Sequence, residues 1–86
     1  MNPAEIRATI LQVLGRIAPE ADLTAIKANV NLRDQLDIDS MDFLNFLIAL
    51  DKQLGIDIPE RDYGQLGTLD ACVDYVRDRQ SLQRPG

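Results

Sequence analysis

The sequence predicts an all-α protein, a small four-helix bundle with three main helices and one short one. Three observations carry that expectation. Apolar residues recur at helical spacing in three separate stretches. Helix start and stop residues stand at the ends of those stretches. No stretch alternates apolar and polar residues in the way a half-buried strand would.

The first helix is expected over 3–17. Asn2 can cap it, Pro3 suits the first helical position, and Glu5 follows three residues after the cap. Ile6, Ile10, Val13, Leu14 and Ile17 form its apolar stripe. Residues 18–39 are then a long connection whose scattered aliphatics, Leu23, Ile26, Val30, Leu32, Leu36 and Ile38, suggest that it is pinned across the bundle. A short helical turn near 22–28 fits within it. The second main helix covers 40–54 and stops at Gly55. The stretch "IDIP" is extended, because the residue before Pro59 avoids the α region. A short helix follows at 60–65. The last helix is expected over 68–80, with Thr68 as cap, Asp70 in its first turn, and Arg77 and Arg79 in its last. Its buried stripe is Leu69, Cys72, Val73 and Val76. The end, "SLQRPG", reads as frayed.

Composition narrows the function classes. At 86 residues the chain is read as one domain with one modest core. It has no tryptophan, so aliphatic residues must build that core. The absence of histidine removes Ser-His and Cys-His nucleophile pairs and most zinc sites. A single cysteine, Cys72, cannot form an internal disulfide and suggests a reducing compartment. No apolar run approaches the ~20 residues of a membrane span, and the N-terminus lacks the pattern of a signal peptide. A cytoplasmic monomer is the expectation.

The net charge is −5 and unevenly spread. Between Asp34 and Asp62 eight carboxylates face only Lys52 and Arg61, while the remainder is close to neutral. That argues against nucleic acid and for basic protein partners. A solvated face that serves only solubility explains the charge equally well.

On a helical wheel, residues 41–54 show two apolar groups. Phe43, Phe46, Leu47, Leu50 and Leu54 make a complete core-facing stripe. Met41, Leu44 and Ile48 make a second, centred about 130° away, with Asp42, Asn45, Asp51 and Lys52 around it. Core packing does not need this second group. Either the long connection covers it, or it is a partner-docking patch rimmed by charge. Ser40 stands directly beside it.

In "DIDSMD" either Asp39 or Ser40 can accept a backbone N–H at the helix start, and Asp42 favours the helix dipole. Capping therefore explains Ser40 by itself, though it needs neither both flanking acids nor the adjacent patch. A calcium loop starting at Asp37 fails, because its glycine position is Asp42 and its bidentate position is Ile48. A catalytic serine fails for want of a base. Cys72 reads as a small core residue, Tyr63 and Tyr75 as edge packing, and Gly64 and Gly67 as turn residues before the last helix.

From Leu36 to Val76 the chain resembles the acyl carrier proteins. Asp39-Ser40-Met41 matches the family's Asp-Ser-Leu or Asp-Ser-Met signature at the start of its second helix. "LIALDKQLGIDIP" and "TLDACVDYV" follow at the family's spacing. The three residues alone are a weak signal, and the motif with both downstream segments is a strong one. The resemblance implies a carrier rather than an enzyme. Ser40 would bear a 4′-phosphopantetheine arm through a phosphodiester, and the arm's thiol would hold acyl groups as thioesters. It implies a phosphopantetheinyl transferase and acyl-loading and acyl-transferring enzymes as partners. Their basic surfaces would meet Asp39, Asp42, Asp51, Glu60 and Asp62, with apolar contact from Met41, Leu44 and Ile48. Two departures stand out. Asn45 and Lys52 occupy positions that are acidic in many fatty-acid carriers, and Phe43 and Phe46 are bulkier than usual and narrow the interior. They point to a specialised carrier for a lipid, polyketide or other secondary pathway. The rival readings are an unmodified module of the same fold that binds basic partners, and a carboxylate enzyme or metal protein lacking a complete ligand set.

Overall fold

The computed structural model describes residues 2–83, with side chains as far as residue 80. Helix α1 spans Pro3–Ile17, α2 Leu32–Gln35, α3 Ser40–Leu54 and α4 Leu69–Gln83. Two 3-10 segments lie between them, Leu23–Ala25 and Glu60–Gln65. No strand occurs among the described residues.

The expected helix ends are present. Asn2 accepts the Glu5 N–H at 2.8 Å while the Glu5 carboxylate accepts the Asn2 N–H at 3.2 Å, a reciprocal cap on α1. Gly55 closes α3 at φ +64°, in the left-handed region that glycine adopts without cost from a Cβ. Thr68 Oγ1 accepts the Ala71 N–H at 3.1 Å, so Thr68 is the cap and α4 begins one residue later. That helix also runs to Gln83 rather than 80. Residues 81–83 are therefore helical backbone instead of a frayed end, while residues 84–86 of that expected tail lie outside the described residues. Arg77 and Arg79 then sit in mid-helix, where the dipole gives them little, and their charges are used elsewhere.

The long connection contains α2, a four-residue helix that the sequence reading left inside a loop. Asn31 caps it by accepting the Arg33 N–H at 2.9 Å. Gln35 then fastens the connection to itself. Its amide donates to the carbonyls of Lys27 at 2.8 Å and Val30 at 3.0 Å, and its oxygen accepts the Lys27 N–H at 2.9 Å. Two backbone bonds tie the connection to the start of α4, from Leu32 N–H to Gly67 O and from Asp70 N–H to Ala28 O. Gly67 serves this junction by leaving room, since a Cβ there would meet the Asn31 amide at 3.0 Å.

Helix α1 packs against both α3 and α4, and the Glu60–Gln65 helix rests on α4. Ile6, Ile10, Val13 and Leu14 from α1 meet Phe46, Leu47 and Leu50 from α3 and Leu69, Cys72 and Val76 from α4 in one core cluster. Ile26 and Leu32 of the connection join it, which is how that segment is pinned. Burial pushes the Cys72 thiol up to about 12, and its Sγ donates to Leu66 O.

Candidate functional site at the start of helix α3

Asp39 is the cap of α3, and Ser40 is its first helical residue. The Asp39 carboxylate accepts the Asp42 N–H at 2.8 Å, and Asp42 in turn accepts the Asp39 N–H at 3.4 Å. The two acids on either side of Ser40 thus complete a reciprocal cap between themselves. The Ser40 hydroxyl takes no part in it and is exposed. A primary alcohol stands free on the first turn of a rigid helix, among backbone N–H groups at the positive end of the dipole. That location accommodates an anionic group such as a phosphodiester.

The second apolar group of α3 is uncovered. Met41 is 63% exposed and Ile48 41%, while Leu44 is half-buried. The long connection packs against the core instead of over this face. Met41, Asn45, Ile48 and Lys52 are all exposed and lie in a strip roughly 60° wide on the wheel. Phe46 and Leu47 are buried and Phe43 half-buried on the other side of the helix, with the two phenyl rings 6.0 Å apart.

The five expected docking acids divide. Asp39 and Glu60 are exposed and Asp42 is half-buried. Asp51 is half-buried, and its carboxylate accepts the Ile58 N–H at 3.1 Å, which fastens the extended "IDIP" segment to α3. Asp62 is a correction to the sequence reading. It is buried, its Oδ2 accepting the Tyr75 hydroxyl at 2.7 Å and the Arg79 guanidinium at 2.6 Å. A carboxylate facing inward with its lone pairs engaged offers nothing to a partner surface. The Tyr75 hydroxyl holds its pKa below the ordinary value, assisted by Arg79 and outweighing the effect of burial. Burial and the same hydrogen bond push Tyr75 up. Arg79 also lies over the Tyr75 ring, 5.0 Å from its centre. This group joins residues 13 and 17 apart in the chain. The i, i+4 spacing of Tyr75 and Arg79 was its only local signal.

Among the described residues no three carboxylate or cysteine side chains come together in an arrangement that could hold a metal ion. No helix among the described residues is long and apolar enough to cross a membrane.

Residues 4–76 match the family model described as a phosphopantetheine attachment site. The chain is 31% identical to the acyl carrier protein of Lactobacillus acidophilus over 61 residues, covering 71% of this chain and 76% of that one. It is 27% identical to the acyl carrier protein of Rubrobacter xylanophilus over 78 residues, covering 87% and 96%. Its backbone is similar to the solved structure of the acyl carrier protein from Enterococcus faecalis, with a TM-score of 0.76 at 22% identity over 92% of this chain and 99% of that one. At that identity the structural likeness speaks for the fold.

Proposed function

The chain belongs to the phosphopantetheine-attachment family and is an acyl carrier protein, and from that premise we propose that Ser40 is the residue that bears the 4′-phosphopantetheine arm. One observation carries the assignment. Ser40 is the sole serine within the matched residues 4–76, and its hydroxyl is exposed and spared from capping by the Asp39–Asp42 pair. Attachment would form a bond from Ser40 Oγ to the phosphoryl end of the arm as a separate transferase breaks the pyrophosphate linkage of coenzyme A, with adenosine 3′,5′-bisphosphate leaving and the hydroxyl proton released. A chain without histidine has no need of its own base, because here the serine is a substrate. When attached, the arm supplies a terminal thiol that holds an acyl group as a thioester. The chain's own residues anchor the arm and present it: α3 fixes its origin, and the face beside that origin meets the enzymes.

Partners would meet Asp39, Asp42 and Glu60 through charge, and Met41, Leu44 and Ile48 through apolar contact. Asp51 contributes its field from a fixed position. Such a surface favours fast, transient docking. The exposed strip also carries Asn45 and Lys52, so its far end is neutral to positive. That mixed charge supports service in a specialised lipid or secondary pathway over housekeeping fatty-acid synthesis. Efficient elongation of its acyl form by a standard fatty-acid synthase would count against the specialised assignment.

The test is intact mass after incubation with coenzyme A and a broad-specificity phosphopantetheinyl transferase, alongside Ser40→Ala. The expected result is a gain of one phosphopantetheine that disappears in the variant. No gain with several transferases, on folded protein, would leave an unmodified module of carrier fold.

A further inference from the structure

The outward face of α3 carries opposite charge at its two ends. Asp39 and Asp42 stand beside Ser40, and Lys52 lies roughly 15 Å beyond Asp42 along the helix axis. Met41 and Ile48, the large apolar side chains that remain exposed, and the neutral Asn45 share the strip with Lys52.

Nothing within the fold uses the Lys52 ammonium. The residue is exposed, and no ion pair or hydrogen bond engages its side chain among the described residues. Its helix neighbours three and four residues away are Ala49, Ile48, Gly55 and Ile56, so no acid faces it along α3. The adjacent Asp51 lies about 100° round the helix, and its carboxylate accepts the Ile58 N–H. A lysine in the last turn favours the helix dipole, but it would do so on any side of that turn. The dipole leaves unexplained why this cation stands in line with Met41 and Ile48.

We infer that Lys52 selects partners: the acyl-handling enzyme that docks on α3 presents a carboxylate to Lys52, beyond the basic residues that meet Asp39 and Asp42. The inference rests on the reading of this strip as the docking face of a carrier. An enzyme surface that is basic along its whole length meets like charge at Lys52 and is disfavoured. One whose sign reverses about 15 Å from its basic end is complementary throughout. The two signs also fix direction, since a partner docked end for end would bring like charges together at both ends. Docking in one direction keeps the enzyme's active site at the Ser40 end.

The experiment measures Kd by fluorescence anisotropy, at low salt, for the protein without its arm and an acyl-transferring enzyme of fatty-acid synthesis that has a basic docking face. Lys52→Glu should bind roughly three- to tenfold tighter than the parent, Lys52→Ala by a smaller factor, and Lys52→Arg should match the parent. Lys27→Glu, an equal change of charge at an exposed site on the long connection, should leave Kd within about twofold. Docking-face lysines and arginines of the enzyme are then replaced singly by glutamate. At least one such variant should bind the parent more tightly than Lys52→Glu. No gain in Lys52→Glu, an equal gain in Lys27→Glu, or no enzyme variant that reverses the order would each overturn the inference. So would a dimer in sedimentation velocity that Lys52→Glu dissolves, which would give the face to a second copy of this chain. Met41→Ala tests the premise separately. In the Lys52→Glu background it should weaken binding several-fold, and no effect there would sink the docking reading itself. The protein carries no arm in these measurements, so their outcome is independent of the assignment of Ser40.

Discussion

Asp39 and Ser40 are neighbours with opposite duties, and single substitutions separate them. Asp39 makes the capping bond, so Asp39→Ala should lower stability by about 1 kcal/mol. Ser40→Ala touches no such bond and should stay within about 0.5 kcal/mol of the parent in urea unfolding. Equal losses in both variants would return Ser40 to a structural role. Cys72 is the opposite kind of residue, a nucleophilic atom that the fold disarms. Its thiol is buried and raised to about 12, so almost no thiolate exists at neutral pH. In protein lacking the arm, Ellman's reagent at pH 8 should react only after denaturant is added. Stoichiometric reaction with the native protein would show that Cys72 is accessible.

Helix α3 spends its two faces differently. Phe46, Leu47 and Leu50 hold it in the core, while Met41, Asn45, Ile48 and Lys52 are left outward. The short Glu60–Gln65 helix shows another dependence. It has six residues and no side-chain cap at its start, so little of its stability is local. Asp62 anchors it to α4 through Tyr75 and Arg79. Tyr75→Phe should therefore speed amide exchange across residues 60–66 while α1 amides keep their protection. The same carboxylate gives a pH signature. Its pKa is held below the ordinary 3.8, so on acidification the unfolded chain takes up this proton before the folded one. The stabilisation is complete above 3.8 and is lost as pH falls through the depressed value. The stability gap between the parent and Asp62→Asn should be level near neutrality and narrow below 3.8. A gap unchanged to the lowest pH at which the parent folds would refute the anchoring role.

The whole molecule has little stability in reserve. For 86 residues the total is about 4–13 kcal/mol. Phe46→Ala, at a fully buried site shared by all three long helices' cluster, should cost about 3–5 kcal/mol. Met41→Ala, at a site 63% exposed, should fall within about 0.5 kcal/mol. If Met41→Ala slows transfer of the arm to Ser40 while its urea midpoint is unchanged, the exposed face is a docking surface. The net charge of −5 adds a further expectation. KM for the transferase should rise with ionic strength, since attraction between exposed charges is screened beyond a Debye length of about 8 Å at physiological salt.

Much of this protein could be read from its chain because the responsible forces are local. Capping, glycine at a left-handed helix end and apolar spacing act over a few residues. Asn2, Gly55 and Thr68 therefore marked their helix ends, and α1 and α3 came out at their observed bounds. Which of Asp39 and Ser40 caps α3 stayed open in the sequence, because either side chain can accept the N–H, and the fold gives that bond to Asp39 and leaves the Ser40 hydroxyl exposed. The short helix α2 was not legible. Four residues have too little propensity to signal themselves, and Leu32 is held by a backbone bond to Gly67, far along the chain. Nor could the fate of Asp62 be read. Nothing in "PERDYG" distinguishes a carboxylate that faces water from one that turns inward. That choice depends on Tyr75 and Arg79 arriving from α4 with a hydroxyl and a guanidinium, whose hydrogen bonds outweigh the cost of taking the charge out of water.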